Sequence, residues 1–493
     1  MRVGVWSLVL ALAAPAAGEE TKPAIPTDWA QAARADVQAF HDDITANHPG
    51  PVNAADPGFS RRSDAALAVA LRRAATVRDY PGWLATLRGY AASFDDGHLA
   101  FSTLIDAPVA LRWPGFLTAF DERGRQVVRT RVAGAPVPLD AELTGCDGRR
   151  SDALAVELVG QFRGRWSLAA MRGREGFRVF VDNGNPFVRR PVRCTFRIDG
   201  APKTVMLDWQ PFSDALWTTH AAPLAQPPRA PIAARTLADG TRWYAISDFD
   251  GDPDGTAARA LRPMIAGMKH DRAAVVAAPR IVLDLRGNGG GSSDWSRQIA
   301  VILWGEAAVA GAKLDSDAVD WRASPANVAS LADYRAQFGA APDADPAVKR
   351  YFATAAESIA AARAAGQPLW REPDDLYTPD RPAGPAAAVM APAAPVYVLT
   401  DWSCGSACLD AVDLWKALGA VQVGQETSAD TLYMDLRQDD LPGGRVRAAI
   451  PMKVYRGRPR GSNVPQVPAY RFAGDMRDTT ALERWSARLT PRR

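Results

Sequence analysis

The sequence predicts an α/β protein assembled from several folded units, and three observations lead to that prediction. Strand-like segments at 243–247 and 280–285 alternate with helical segments at 256–268 and 294–304, which is the pattern of an α/β domain. A helical pattern lies nearer the N-terminus, and short β-branched segments with glycine turns follow it. The chain has 493 residues. At roughly 100 to 200 residues per domain, that length predicts about three units.

Residues 1–18 have the composition of a cleaved signal peptide. Arg2 is followed by an apolar run at 3–14, and Pro15 and small residues then provide a suitable cleavage site. The apolar run is too short to cross about 30 Å of hydrocarbon, which argues against a membrane anchor. We therefore expect an exported protein, periplasmic or secreted, with no membrane span after cleavage.

The residue composition and hydrophobic pattern along the mature chain predict the following order of units. Amphipathic, alanine-rich stretches indicate a helical domain, β-branched segments indicate a β-rich module, and a run with four prolines indicates an extended linker. The α/β domain follows and contains an Ala/Pro-rich insertion or lid with one predicted helix, at 346–365. The expected bounds are 25–100 for the helical domain, 108–210 for the module, 218–235 for the linker, 236–490 for the α/β domain and 306–395 for its insertion.

Composition narrows the classes of partner. Hydrophobic residues make up 47% and charged residues 23% of the chain, as in folded soluble proteins. The net charge is +3 and the basic residues form no long run, so the sequence has no basic stretch of the kind that binds nucleic acids. We expect no nucleic-acid partner.

Four cysteines fit an exported protein with one or two disulfides. Cys146 and Cys194 lie in the same predicted module and could pair. Cys404 and Cys408 are four residues apart, and two helical positions would hold their Cβ atoms too far apart for a relaxed bond. A bridge there requires Cys404 to lie before the helix.

The first motif that indicates chemistry is the apolar strand at 280–285, which runs into Gly-Asn-Gly-Gly-Gly at 287–291. Glycines let a backbone approach a substrate closely and leave N–H groups free to bind an anion. A dinucleotide-binding loop would need glycine where Ser292 stands, and a P-loop would need a Lys-Ser/Thr pair. An oxyanion-binding loop and a plain turn both stay open.

The second motif is Cys-Gly-Ser-Ala-Cys at 404–408, between a predicted strand at 395–400 and an amphipathic helix at 406–418. Ser406 at the helix N-terminus would sit in a positive potential that favours a developing oxyanion. The alternative is that Ser406 only caps the helix. The nucleophile elbow of α/β-hydrolases needs glycine at 404 and 408, so that fold is disfavoured.

The third motif is Asp-Asp-Gly-His at 95–98. The imidazole group titrates near neutral pH, which makes His98 a candidate proton acceptor for a serine. A surface or capping histidine is the alternative. The sequence has no H-E-x-x-H or paired C-x-x-C spacing, so we expect neither a metal nor another cofactor.

Taken in order, these motifs resemble the C-terminal-processing (tail-specific) serine peptidase family of type S41. Asp-Leu-Arg-Gly-Asn-Gly-Gly-Gly at 284–291, Cys-Gly-Ser-Ala-Cys at 404–408 and Gly-Ala-Val-Gln-Val-Gly at 419–424 look like the core of that family. Asp-Gly-His at 96–98 is similar to the branch related to the tricorn core protease, whose base is a histidine. The resemblance covers roughly residues 28–485.

The resemblance implies a fold and an activity. The α/β domain would be a ClpP/crotonase-like β-spiral catalytic core, and the β-rich module would be PDZ-like. Ser406 would be the nucleophile and His98 the base of an endopeptidase that forms an acyl-enzyme. Gly290 and Ala407 would provide the oxyanion hole, and the partner would be a peptide or protein substrate.

One departure from the family affects the choice of residues. Lysine-dependent members carry a lysine after a Gly-Glu-x-Thr turn, but here Asp430 occupies that position. A Ser/Lys dyad is therefore excluded, and the resemblance leaves the histidine-dependent branch. Asp430 is the candidate third member of the triad, with Asp96 and Asp475 as alternatives.

Two other functions stay open at this point. The same architecture carries ligand binding in the interphotoreceptor retinoid-binding repeats, so a non-catalytic ligand- or peptide-binding protein is one alternative. A hydrolase that uses the thiol of Cys404 or Cys408 is the other.

Overall fold

The computed structural model describes the chain over residues 25–121, 123–252, 254–312, 318–340, 346–373, 376 and 390–490. The predicted signal peptide lies outside these residues, as does most of the end of the expected insertion, at 377–389. The described chain combines helices with one mainly parallel sheet and further antiparallel sheets. The predicted α/β class is confirmed.

The N-terminal part of the described chain is helical, as the amphipathic pattern predicts. Asp28 and Asp79 cap the first and third helices by accepting a hydrogen bond from a backbone N–H. The apolar faces of the three helices meet in one core with Phe40, Trp83 and Tyr90 at its centre. The elements are α1 (Trp29–Asn47), a 3₁₀ turn (Gly50–Val52), α2 (Phe59–Ala74), α3 (Tyr80–Ala92) and strand β1 (Ala100–Thr103).

A second unit is β-rich, again as predicted. Its main sheet has the order β3-β4-β5-β7-β8, with β6 paired to β5, and β2 pairs with β9. A disulfide joins Cys146 on β5 to Cys194 on β7. The strands are β2 (Arg112–Trp113), β3 (Phe116–Phe120), β4 (Gln126–Arg131), β5 (Glu142–Cys146), β6 (Arg149–Arg150), β7 (Arg193–Ile198), β8 (Ala201–Met206) and β9 (Gln210–Pro211).

Short helices cover this sheet. They are α4 (Ser151–Ala155), α5 (Gln161–Arg163), α6 (Ala169–Glu175), α7 (Asp214–Leu216) and α8 (Ala222–Ala225), with π turns at Val156–Gly160 and Trp217–Ala221 and a 3₁₀ helix at Gly176–Phe180. The extended linker expected at 218–235 is therefore wrong over its first half, which is helical to Ala225. Pro223 lies in the first turn of α8, where a missing N–H costs nothing.

The largest core surrounds a six-stranded sheet of order β10-β11-β12-β15-β16-β19, parallel except for the β10–β11 pair. Strands β12 and β15 are buried along their length and mainly apolar up to their last residues, Asp284 and Thr400, as in parallel sheets covered on both faces. The strands are β10 (Ala233–Thr236), β11 (Arg242–Ala245), β12 (Ile281–Asp284), β15 (Val396–Thr400), β16 (Val421–Gly424) and β19 (Tyr470–Arg471). The helices are α9 (Thr256–His270), α10 (Arg272–Val276), α11 (Asp294–Trp304), α12 (Glu306–Gly311), α15 (Ala407–Ala417) and α16 (Thr479–Ser486).

The segment expected to be an insertion is built into another sheet. Strand β18 (Val446–Arg456) pairs with β1, β13 and β17, and β14 pairs with β13. The bounds are β13 (Ala318–Arg322), α13 (Pro325–Ala340), α14 (Pro346–Ala364), β14 (Leu369–Arg371) and β17 (Tyr433–Asp440). The predicted helix at 346–365 is confirmed, but α13 and both strands were missed. Together with α14 and the β17–β18 hairpin they form one core that contains Trp321 and Phe352, so the described part of this segment is not a loose lid.

None of the helices described here is long and apolar enough to cross a membrane.

A buried ion pair ties the N-terminal helices to the β17–β18 hairpin. Arg445 donates from Nε and Nη2 to the two carboxylate oxygens of Asp36 at 2.8 Å, and Trp83 Nε1 donates to the same group at 2.8 Å. The Asp36 side chain is 1% exposed. Removing one partner leaves the other charge buried and unpaired, which is costly.

We expect Arg445→Met to lower the free energy of unfolding by about 3 kcal/mol, because Asp36 would keep its charge without its cation. Urea titration followed by circular dichroism measures this change. Arg150→Met is the matched control: Arg150 pairs with Asp152 at an 85% exposed position, and its loss should cost less than about 1 kcal/mol. Equal unfolding midpoints for the two variants would show that the Asp36 pair does not secure this junction.

Candidate functional site

Ser406 lies in the turn between β15 and α15, and its backbone is strained. It has φ +51° and ψ −126°, a conformation that residues with a Cβ rarely adopt. Ser406 is the N-cap residue of α15, but its side chain makes no capping hydrogen bond. The capping alternative for Ser406 therefore has no support in the geometry, and the half-buried hydroxyl sits at the positive end of the helix.

The glycine loop after β12 packs directly against this turn. A Cβ on Gly290 would lie 2.7 Å from Ser406 Cβ and 3.0 Å from Ala407 N, closer than real Cβ contacts. Gly290 also has φ +104°. Only glycine fits this position without strain, so the first two sequence motifs meet at one point.

Of the two expected oxyanion donors, one is free and one is engaged. Ala407 is the first residue of α15, and in the described part of the chain its N–H has no acceptor. The Gly290 N–H donates to Asn288 Oδ1 at 2.9 Å, while Asn288 Nδ2 donates to the Ile246 carbonyl. Asn288 thus fixes the glycine loop and occupies the Gly290 N–H.

Two buried aspartates, at the ends of β12 and β15, hold the glycine loop and the serine turn in place through hydrogen bonds. Asp284 receives hydrogen bonds from the Arg286 guanidinium, at 2.6 Å and 2.8 Å, and from Trp243 Nε1 at 3.1 Å. Asp401 accepts from Gly287 N at 3.1 Å and from the backbone N–H and hydroxyl of Ser403. Burial raises the pKa of Asp401 to about 6, against the effect of these donors.

A disulfide joins Cys404 to Cys408 across the serine turn. Cys404 precedes α15 and Cys408 lies in its first turn, which is the arrangement that the spacing requires. Both residues are fully buried. Neither sulfur is a free thiol, so a hydrolase that uses Cys404 or Cys408 as its nucleophile does not fit this structure.

His98 lies in the loop between α3 and β1, beside Asp96. Its backbone N–H donates to Asp96 Oδ1 at 2.8 Å, and its ring Nδ1 lies 3.9 Å from the same oxygen. The two side chains are 12% and 4% exposed. Burial raises the pKa of Asp96, while the neighbouring His98 and the hydrogen bond from Thr431 Oγ1 favour its ionised form. His98 Nδ1 is buried without a hydrogen bond among the described residues.

The segment 428–431 connects the serine turn with the His98 loop. Ser428 Cβ lies 3.9 Å from where a Cβ on Gly405 would be, the Ala429 carbonyl accepts from Arg165 Nη1 at 2.7 Å, and Thr431 donates to Asp96. Arg165 in turn lies against Gly97. In the described chain, no hydrogen bond joins Ser406 to His98, although the loops that carry these two expected catalytic residues border the same segment.

Asp430 forms ion pairs with arginines and no hydrogen bond with His98 in the described chain. Its carboxylate pairs with Arg460 Nη1 and lies 3.7 Å from Arg458 Nη1. Asp475 is 64% exposed and accepts from the Arg477 backbone N–H. Of the three acids considered for the triad, the structure places Asp96 beside the imidazole, whereas Asp430 belongs to an ion cluster.

Several residues that shape the site were not found from the sequence. Arg165, Thr431 and Arg460 contact residues between 30 and 335 positions away, and none of the three stands in a motif that marks its role. Asn288 lies inside the glycine motif, but its bond to the Gly290 N–H was not predicted.

Comparison with known proteins gives a fold likeness and no sequence match. No family model matches the chain, and no curated protein matches it. The solved structure of mature CPAF complexed with lactacystin superposes with a TM-score of 0.57 at 13% identity, over 93% of this chain and 97% of that one. A second structure of mature CPAF gives 0.56 at 13% identity, over 93% and 96%. The chain therefore shares the fold of CPAF along almost its whole length.

The pKa of Asp401 predicts a stability that falls as pH rises. Its folded value of about 6 exceeds the unfolded value of about 3.9, so ionisation favours the unfolded chain. The contribution of the protonated Asp401 to the free energy of unfolding is greatest below pH about 4. It is lost as the pH rises to about 6, a change of about 3 kcal/mol. We expect the difference in unfolding free energy between the protein and Asp401→Asn to shift by up to that amount between pH 4 and 7.

Urea unfolding at several pH values measures this shift. Asp152→Asn is the control, because the Ala153 N–H lowers the pKa of that exposed carboxyl and the shift should be small and of opposite sign. A difference between wild type and Asp401→Asn that stays constant with pH would contradict the prediction.

Proposed function

We propose that this protein is an exported serine endopeptidase of the C-terminal-processing type, with Ser406 as nucleophile and His98 as base. The observation that carries the proposal is Ser406 itself: a strained, uncapped serine at a helix N-terminus, packed against a glycine loop. The likeness to CPAF supports the fold of this family. In the same proposal, the parallel sheet and its helices form a ClpP/crotonase-like core and the β-rich unit is a PDZ-like module.

The proposed reaction is acyl transfer through the serine. Ser406 Oγ attacks the peptide carbonyl while His98 accepts its proton, and His98 then gives that proton to the leaving amine. The Ala407 N–H and the dipole of α15 stabilise the oxyanion. The second donor is the Gly290 N–H, which in this proposal leaves Asn288 Oδ1 and donates to the substrate oxygen instead. Water then releases the acyl group by the same route.

His98 has to approach Ser406 for this reaction. Catalytic hydrogen bonds often tighten only when substrate is bound, so their absence in the free protein does not exclude the pair. We infer that Asp96 orients the imidazole from Nδ1, leaving Nε2 for the serine. Segment 428–431 contacts both loops. In this proposal, substrate that binds against this segment brings the two loops together.

One observation favours a second function. Because Ser406 and His98 make no hydrogen bond in the described chain, a non-catalytic ligand- or peptide-binding protein on the same fold is the alternative. Such a protein would not need an activated serine, and a reagent that reports serine activation separates the two functions.

We expect a fluorophosphonate to label the mature protein at Ser406, because a base and an oxyanion site activate that hydroxyl. Peptide mapping identifies the modified residue. Ser406→Ala should abolish labelling, and His98→Ala should slow it by at least about 100-fold.

Ser403→Ala is the matched control, because Ser403 lies three residues before Ser406 and bonds Asp401 instead. Its labelling rate should stay within a few-fold of wild type. A folded protein that is not labelled, or is labelled equally after His98→Ala, would refute the serine peptidase and favour the binding protein.

The role of Asp96 is tested against that of Asp430. We expect Asp96→Asn to lower the labelling rate about 10³-fold, since it removes the carboxylate beside His98, and to displace the pH profile of labelling. Asp430→Asn should lower the melting temperature through loss of its arginine pair, and it should slow labelling much less than Asp96→Asn does, because it leaves the carboxylate beside His98 in place. Equal slowing by both variants, with unchanged melting temperatures, would return Asp430 to the triad.

A further inference from the structure

Four arginines surround a single carboxylate between α3 and the β-rich unit. Glu175, which is 7% exposed, receives Arg178 Nε at 2.6 Å, Arg174 Nε at 3.3 Å and Arg163 Nε at 3.4 Å. Arg88 on α3 completes the group, which we call the arginine cleft. Its charges are four positive and one negative, so one anion does not balance it.

Arg88 is the least satisfied member of the arginine cleft. It is half-buried, and within the described ranges no hydrogen bond or ion pair reaches its guanidinium. Burial lowers the pKa of Arg88, and repulsion from Arg178 adds to that effect. Burial and the other three arginines lower the pKa of Arg163 to about 9. Partly desolvated arginines that share one counterion, Glu175, repel one another, and a second anion would relieve that repulsion.

The arginine cleft opens into a cavity of about 550 Å³ that extends to the loop carrying His98. Its walls include Arg88, Arg163 and Arg174 as well as Asp96 and Gly97, which directly precede His98. An adjoining cavity also contains Arg88 and Arg163, together with Arg178.

Other charged groups face these cavities and do not neutralise the cluster. Arg165 adds a further cation. Asp96 already accepts from Thr431 and from the His98 backbone. Asp106 and Asp214 line the adjoining cavity but are exposed to solvent, and neither forms an ion pair with these arginines within the described chain.

We propose that the arginine cleft binds a carboxylate group of a peptide ligand. Guanidinium forks match a carboxylate in two-point geometry, and half-buried arginines are the side chains suited to that recognition. The cavity has room for a side chain or a chain end and leads to the His98 loop. Assigning this peptide as the substrate rests on the proposed function, whereas the carboxylate site itself does not.

Two sources of carboxylate are open to direct comparison. An acidic side chain and a free C-terminus carry the same group, and three fluorescein-labelled Ala/Gly peptides separate them. One has a single Glu and an amidated end, one has Gln and a free end, and one has Gln and an amidated end. Fluorescence polarisation on the Ser406→Ala variant measures binding without turnover.

We expect the peptide with the recognised carboxylate to bind roughly 10- to 100-fold more tightly than the doubly neutral peptide, as for hydrogen bonds to charged groups. Arg88→Gln and Arg163→Gln should each remove that preference. Arg150→Gln, an exposed arginine of the same β-rich unit, should keep it. Arg88→Gln should not lower the melting temperature, because Arg88 has no ion pair among the described residues and repulsion is relieved.

The outcomes distinguish this site from the proposed function. Preference for either carboxylate supports the site and names its source. Equal binding of all three peptides, including no binding up to millimolar concentration, overturns it, and so does a preference that survives both arginine changes. If the protein prefers a carboxylate but is not labelled by a fluorophosphonate, the proposed carboxylate site stands and the proposed peptidase activity is wrong.

Discussion

The arrangement of the site depends on one buried arginine. Arg460, 4% exposed, pairs with Asp413 at 2.9 Å, with Asp410 at 3.3 Å and with Asp430. Asp410 and Asp413 lie on α15, the helix that begins after Ser406, whereas Asp430 lies in the segment that reaches the His98 loop. Burial raises the pKa of both helical aspartates, and Arg460 opposes that rise. Arg458 also lies 2.9 Å from Asp410 and 3.7 Å from Asp430, but of the two arginines Arg460 is the one that pairs with all three carboxylates. Arg460 therefore fixes α15 against segment 428–431.

This constraint explains how residues from distant parts of the chain come to share one site. Ser406 belongs to the parallel sheet, and His98 follows the helical unit more than 300 residues earlier. Strand β1, next to His98, pairs with β18, and Thr431 holds Asp96. The position of His98 is therefore set by packing between units, and that of Ser406 by packing within one sheet.

The sequence was sufficient where function depends on local patterns and insufficient where it depends on contacts between distant residues. The glycine loop, the serine turn and helices α1 to α3 follow from glycine spacing and from apolar periodicity. The strands at 318–322 and 369–371 did not, because short strands are recognisable only by the partners that complete their sheet. Asp430 was chosen by its position in a motif, but the charges that surround it come from residues about 30 positions later. The Asn288 bond to the Gly290 N–H is likewise invisible without a folded loop.

The strain at Ser406 links the stability of the fold to the proposed chemistry. A non-glycine residue at φ +51° costs roughly 1–3 kcal/mol and persists only where neighbours leave it no alternative. Gly290 packs against it, the Cys404–Cys408 bond closes the turn around it, and Asp401 holds the residues before it. A serine that only capped the helix would adopt extended backbone angles and spend its hydroxyl on an N–H. Here the hydroxyl is left free and the N–H of Ala407 beside it has no acceptor among the described residues. The neighbours thus enforce a costly conformation that places a hydroxyl and an N–H without an acceptor at one point, which is why the strain supports the proposed serine peptidase rather than a capping role.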